Sequence, residues 1–342
     1  MTGISAALAS AVLFGVATPL AKLLVGPVDP WLLAGVLYLG SGIGLALVRL
    51  THVERVPGVR RGDVPWLLAA IGCGGLIGPV LLMWGLARVD ASTASLLLNS
   101  EGVFTALIAW FVFRENFDRR IALGMLLIVL GAVVLAWPGD HALQATLPSL
   151  AIVGACVAWA LDNNLTRRVA LVDATTIAML KGLVAGAVNT VLALAAGASA
   201  PASAQLAGAV ALGFVSYGLS LVLFVSALRG LGTARTAAYF SLAPFVGAVL
   251  SVLLLDEAVT WRLAAAALFM AGGVWLHLTE HHVHTHAHEA IDHEHEHEHD
   301  AHHRHEHAMP VAPGPRHSHW HHHEPMSHSH EHYPDAHHRH PH

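Results

Sequence analysis

The chain has 342 residues, of which 55% are hydrophobic and only 12% charged, and its mean hydropathy is +0.56. A soluble domain carries about 25% charged residues, so a water-facing globule is excluded and a polytopic membrane protein is expected. The net charge of −5 joins two unlike parts: residues 280–342 hold 11 acids and 3 arginines (−8 with neutral histidines), whereas residues 1–279 hold 15 Lys and Arg against 12 acids (+3).

Ten apolar segments follow in order, at about 4–25, 30–50, 65–87, 91–113, 120–137, 147–167, 174–196, 206–228, 233–255 and 261–279. Each is near the ~18–20 apolar residues that span a bilayer as a helix. The first lacks a basic stretch before it and reads as a retained helix rather than a leader. Gaps such as "GPVDP" at 26–30 and "DEAVTWR" at 256–262 hold turn and charge residues. Eleven Lys and Arg gather near helix ends on the N-terminal side (49, 55, 60, 61, 114, 119, 120, 167, 168, 229, 235), against Lys22, Arg88 and Arg262 on the other. The positive-inside rule then puts both termini in the cytoplasm, and a bacterial inner membrane is the expected location.

Pro19, Pro79 and Pro244 interrupt segments one, three and nine. Proline removes a backbone donor and frees a carbonyl, so these are candidate hinges as well as plain kinks. Gly40/Gly44, Gly74/Gly78 and Gly182/Gly186 have the small-xxx-small spacing of close helix contacts. Cys73 and Cys156 lie within apolar runs and read as packing residues rather than thiolate ligands.

The chain also resembles itself. Slid by 142 residues, Gly85-Leu86 falls on Ala227-Leu228, Glu115 on Glu257 and Gly131 on Gly273. At an offset of 145, "VLFGVATPLAKLL" (12–24) falls on "VAWALDNNLTRRV" (157–169), so Phe14 meets Trp159 and Lys22 meets Arg167. Five helices per copy is an odd number, so the copies are inverted in the membrane. Inverted repeats are a frequent plan of secondary transporters, with the site near the midplane between the halves.

Three of these features together resemble the EamA-type members of the drug/metabolite transporter superfamily. Each half opens with an aromatic–small pair, Phe14-Gly15 and Trp159-Ala160. Each carries a related approach to its fourth helix, "GLARVDASTASLLLNSEGVF" or "ALRGLGTARTAAYFSLAPFV". Each ends that helix in a glutamate, with a glycine in the next helix (Glu115/Gly131, Glu257/Gly273). The resemblance implies an all-α integral membrane fold of ten transmembrane helices, as two repeats at 1–138 and 145–279, followed by a His-rich tail at 280–342. It does not fix the cargo, because that superfamily moves amino acids, sugars, nucleotide sugars, drugs and other metabolites.

Polar groups inside apolar segments are candidate sites, since a charge at the bilayer centre costs at least about 2.5 kcal/mol. Glu101 lies mid-segment in "LLLNSEGVF", near Asn99 and Ser95, and is a candidate cation or proton site. On a regular helix Asn99 shares a face with Ser95, while Glu101 points away. Asp162, Asn163 and Asn164 form a second cluster, and Lys181 in the next helix is placed to pair with Asp162. Such a pair serves a substrate site or fixes helix packing. Trp159, Tyr217 and Tyr239 line a cavity or fill the bundle. No phosphate loop, HExxH or nucleophile triad is present, so no enzymatic role is expected. No basic patch interleaved with aromatics points to nucleic acid. His52 and His141 stand alone in loops.

The tail lacks apolar periodicity, and composition predicts no regular structure there. Its histidines alternate with acids, as in "HEHEHEHD". His293, His295, His297, His299, His302, His303, His305, His307, His319, His321, His328, His330 and His332 are candidate metal ligands. Neutral imidazole suits nickel, cobalt and zinc. A metal-free pH sensor and an inert extension are the other readings. The expectation for the whole is a secondary transporter, most specifically a divalent-metal exporter. The alternatives are an amino-acid or metabolite exporter regulated by the tail, and a membrane-anchored metal buffer that moves nothing. Expected partners are the bilayer and a small-molecule or metal-ion substrate. No cofactor is required, and a homodimer is left open.

Overall fold

The structure is a computed structural model that describes residues 3–51, 59–113, 119–137, 146–166, 169, 173–231, 236, 239–279, 283–288, 291–297, 317–323 and 326–331. His52, Glu115, His141, Arg167, Arg168 and the tail residues His299, His302, His303, His305, His307 and His332 lie outside them.

Residues 1–280 form one compact, all-α unit. Helix α1 (Gly3–Leu24) is interrupted at Val16. Next come α2 (Pro30–Thr51) and α3 (Arg61–Leu86), the latter with a π-helical stretch at Ile71–Ile77. Helix α4 has two halves, Ala91–Leu97 and Ser100–Phe113. Then follow α5 (Arg119–Ala136), α6 (Thr146–Thr166) and α7 (Ala174–Ala195). Helix α8 runs as Ser203–Leu212, a second π-helical stretch at Gly213–Leu219, and Ser220–Leu231. Last come α9 (Ala243–Leu255) and α10 (Trp261–Leu278). Among the described residues, six helical runs are long and apolar enough to cross a membrane, and Ala122–Ala136, Ala243–Leu255 and Trp261–Leu276 are shorter apolar helices.

Local chemistry sets several of these starts. Asp29 accepts from the amides of Trp31 and Leu32 at the head of α2, Asp173 from Thr176 at the head of α7, and Thr260 from Leu263 at the head of α10. Pro244 is the second residue of α9, where its missing N–H costs nothing. Large apolar side chains such as Leu50, Phe111, Leu253, Leu268 and Trp275 stay exposed, which suits lipid rather than water.

Helix α2 packs on α7, α5 on α10 and α4 on α9; α1 packs on α8 and α9, as α6 does on α3 and α4. The two π-helical stretches begin at 71 and 213, and α5 and α10 begin at 119 and 261: each pair is 142 residues apart, the offset seen in the sequence. Glycines carry the α2–α7 contact, as the small-xxx-small spacing predicts. A Cβ on Gly182 would stand 2.7 Å from Gly42 Cα, and one on Gly42 would stand 2.5 Å from the Leu183 amide. Helices α1 and α8 are tied by a reciprocal serine pair, with Ser10 Oγ donating to Ser220 O (2.7 Å) and Ser220 Oγ to Ser10 O (2.9 Å).

Residues 281–342 form a separate unit. Its described residues lie in four strands: β1 (Val283–His288), β2 (Ile291–His297), β3 (His317–His323) and β4 (Met326–Glu331). Strand β1 pairs antiparallel with β4, and β2 with β3. The strict two-residue alternation of this segment matches the period of a strand, whatever its lack of apolar residues.

Gly182→Ala should therefore destabilise the detergent-solubilised protein by about 1–3 kcal/mol, the cost of an overpacked core, and so lower its melting temperature. Gly72→Ala, where a Cβ meets nothing within 4 Å, should leave it in place.

Candidate functional site

The site is built around two irregular stretches of helix. Helix α4 breaks at Leu98–Asn99 and restarts at Ser100, so Glu101 stands in the first turn of a half-helix inside a hydrophobic run. A helix start presents amides without intrahelical partners, which favours an anion there. Asn163 of α6 donates to Glu101 Oε1 at 2.9 Å and reaches Thr105 Oγ at 3.4 Å. Its neighbour Asn164 donates to the carbonyls of Ala160 (2.9 Å) and Thr105 (3.3 Å), while its Oδ1 is buried without a hydrogen-bond partner. Among the described residues no cation pairs with Glu101.

One turn away the charges are matched. Lys181 of α7 forms an ion pair with Asp162, and also donates to Thr166 Oγ at 2.9 Å. Thr166 donates to Asp162 at 3.0 Å. Gly74, in the π-helical stretch of α3, makes room for this pair, because a Cβ there would overlap the Asp162 carboxylate. A π turn also releases carbonyls from the helical ladder. Gly74 O accepts from Tyr38 OH and from Trp159 Nε1, both at 2.9 Å. Gly75 O accepts from Asn189 (3.0 Å), whose own oxygen accepts from Trp31 Nε1 (3.0 Å).

From Tyr38 a string of half-buried rings crosses the bundle. Ring centroids are 5.9 Å apart for Tyr38–Tyr217, 5.6 Å for Tyr217–Phe14, 5.2 Å for Phe14–Phe240 and 5.0 Å for Phe240–Phe224.

The candidates thus divide. Glu101, Asn163, Asn164, Asp162, Lys181 and Trp159 come together around α3, α4, α6 and α7. Asn99 is buried elsewhere, turned onto Leu96 O (3.2 Å) and the Met270 sulfur (3.9 Å) of α10. Tyr239 packs against Ala6, Ala7 and Ala227. Pro19 lies buried in the second piece of α1, Pro79 stands two residues after the π stretch of α3, and Pro244 is the second residue of α9. Among the described residues no group of three or more His, Cys, Asp or Glu is placed to hold a metal. Tyr38, Thr105, Thr166 and Asn189 carry no signal in the sequence, and Gly74 carries only that of helix packing. The one usable signal was the repeated glycine spacing of Gly74 and Gly78.

This fold and this polar cluster define a multi-pass membrane transporter. The chain belongs to the EamA-like transporter family, which matches residues 1–137 and 146–279. Over 285 residues it is 28% identical to an uncharacterized transporter of Methanothermobacter thermautotrophicus, covering 78% of this chain and 82% of that one. A probable terminal-alkyne amino-acid exporter of Streptantibioticus cattleyicolor is 35% identical over 130 residues, covering 34% of this chain and 43% of that one. A probable flippase subunit for 4-amino-4-deoxy-L-arabinose-phosphoundecaprenol, ArnE of Pseudomonas aeruginosa, is 43% identical over 76 residues, covering 22% of this chain and 63% of that one. One crystal structure superposes with a TM-score of 0.61 at 23% identity, covering 80% of this chain and 98% of that one, and shows the same fold.

Removing one partner of a buried ion pair costs about 3–5 kcal/mol, because the other is left uncompensated. Lys181→Met should therefore destabilise the purified protein strongly in thermal unfolding, and Lys181→Met with Asp162→Asn should recover most of the loss. Independent, additive effects would show that the two residues do not act as a pair.

Proposed function

We propose that the chain is a secondary transporter that exports a small organic solute carrying a protonated nitrogen. The observation that carries this reading is Glu101, a carboxylate at the head of a half-helix inside the bundle, held by an amide and matched by no cation among the described residues. Such a group suits the charged end of a cargo or a coupling proton. The aromatic string beside it supports an organic cargo over a bare metal ion, since ring faces attract ammonium groups. Two relatives named for amino-acid and amino-sugar cargo agree with that chemistry. In this reading the copies at 1–138 and 145–279 rock against each other, exposing the site to one side at a time, and Lys181 with Asp162 holds α6 to α7. Both termini face the cytoplasm of a bacterial inner membrane, from the distribution of Lys and Arg.

A second reading, export of nickel, cobalt or zinc, is favoured by one observation in the tail. The strand register sets His293 opposite His321, His295 opposite His319 and His297 opposite His317. Cross-strand neighbours have Cβ atoms about 4.5–5.5 Å apart, a spacing at which two imidazoles reach one ion. The tail then collects metal for the body, tunes it, or only buffers the cytosol.

The test compares cells lacking the protein with cells carrying the full chain, a chain ending at Thr279, or Glu101→Gln. Intracellular amino acids and amines are profiled, and nickel, cobalt and zinc are counted under metal load. Export of an amine-bearing solute that Glu101→Gln abolishes and the truncation keeps is the expected outcome. A fall in metal that Glu101→Gln abolishes would install the second reading. No solute and no metal lowered by the full chain would overturn both.

A further inference from the structure

The turn between α3 and α4 is held from two sides by residues remote in sequence. At the end of α1, Lys22 Nζ donates to the carbonyls of Leu86 (2.7 Å) and Val89 (2.5 Å). Leu86 is the last residue of α3, where a cation matches the helix dipole, and Val89 lies in the turn beyond it. Just beyond α9, Asp256 takes a left-handed conformation (φ 53°) that turns the chain sharply. Glu257 then lies across the head of α4, its Oε1 accepting from the Ala91 amide (2.7 Å) and its Oε2 from the Ser92 amide (2.9 Å). Ala91 and Ser92 are themselves buried.

This is an unusual way to cap a helix. The cap residue of α4 is Asp90, a residue type well suited to that task. Its backbone is extended (φ −63°, ψ 143°), as a cap requires, yet its side chain makes no capping bond. The amides are instead served by a glutamate 165 to 166 positions away. A local cap would hold α4 equally well and would leave the α9–α10 turn free. Lys22 thus holds carbonyls of the α3–α4 turn, Glu257 holds the first two amides of α4, and the cap residue between them leaves its side chain out of the cap.

We infer that Glu257 is the positioning residue that closes this end of the bundle, and that the end opens when the cap of α4 passes from Glu257 to Asp90. Closed, Glu257 bridges the α9–α10 turn to α4. Open, Asp90 serves the Ser92 amide from within the α3–α4 turn, since a cap side chain reaches the second or third amide of its helix, so one of the two buried donors keeps a partner. The inference needs no knowledge of the cargo and stands apart from the reading of Glu101.

The experiment follows entry to the bundle from each side. The reporter is Ser95→Cys, buried one turn inside Ala91, in the full chain carrying Cys73→Ser and Cys156→Ala. A membrane-impermeant maleimide is applied to intact cells and to inverted vesicles. Pro27→Cys, at an exposed position between α1 and α2, identifies the preparation that presents this end. Glu257→Ala should raise the labelling rate from that side by about tenfold, the scale of one lost charge-assisted hydrogen bond. Asp90→Ala should lower it, because the open state loses its cap. Thr260→Ala, which loosens the same turn through α10 without touching α4, should leave it unchanged, and Glu257→Asp should fall between wild type and Glu257→Ala. Gel filtration of each variant confirms a folded chain. An unchanged rate in Glu257→Ala, or a shift of the same sign in Glu257→Ala and Asp90→Ala, would overturn the inference.

Discussion

Inside a bilayer no water is at hand to serve a peptide group, so every break in a spanning helix must be repaired by the protein itself. Much of this molecule follows from that constraint. The π turn of α3 releases the carbonyls of Gly74 and Gly75, and three side chains arrive to take them: Tyr38, Trp159 and Asn189. The repair places an aromatic from α2 and another from α6 at the same spot, and the absent Cβ of Gly74 lets the Asp162–Lys181 pair sit against it. The break in α4 likewise sets Glu101 at a helix start rather than on a helix flank. The polar centre of the bundle is thus the set of groups that irregular backbone demands, together with one carboxylate that no cation among the described residues matches.

The same logic holds at the ends of the helices. Lys22 and Glu257 act on main-chain carbonyls and amides, not on a salt-bridge partner. Contacts of this kind hold a helix end in place and release it without stranding a charge in a dry interior. The Asp162–Lys181 pair is of the opposite kind, since separating it would leave two charges uncompensated. One set of contacts suits parts that move, and the other suits parts that stay together.

A good deal of this was legible in the residues. The ten apolar runs, the offset of 142 and the pairing of Asp162 with Lys181 are all patterns of composition and spacing, and they survive into the fold because lipid enforces them. What stayed hidden was backbone irregularity. Nothing in "IGCGGLIGP" distinguishes a π turn from a glycine-rich α-helix, so Tyr38 and Asn189, which depend on it, carried no signal. Asn99 and Glu101 are two residues apart, and helical geometry already separates them. The break between them then sends Asn99 to α10 and Glu101 to α6. Glu257 was visible as a repeated residue, but its partners are main-chain amides, which no side-chain pattern records. In the tail, alternation was read as chemistry alone, although a two-residue period is also the period of a strand.

The packing of like-numbered helices has a consequence for how the chain is made. Helix α2 finds its glycine-lined partners in α7 and α8, and α5 finds its own in α10. When the ribosome has finished the first five spans, the two closest helix–helix contacts of the mature protein have only one side each. The early half must wait in lipid with its small-residue grooves open while 142 more residues are added, at about 5–20 residues per second. During those seconds the most complementary surface available to it is the matching groove on another nascent copy. A symmetric fold built by duplication thus carries its own competing dimer, and speed of synthesis becomes part of what keeps the halves of one chain together.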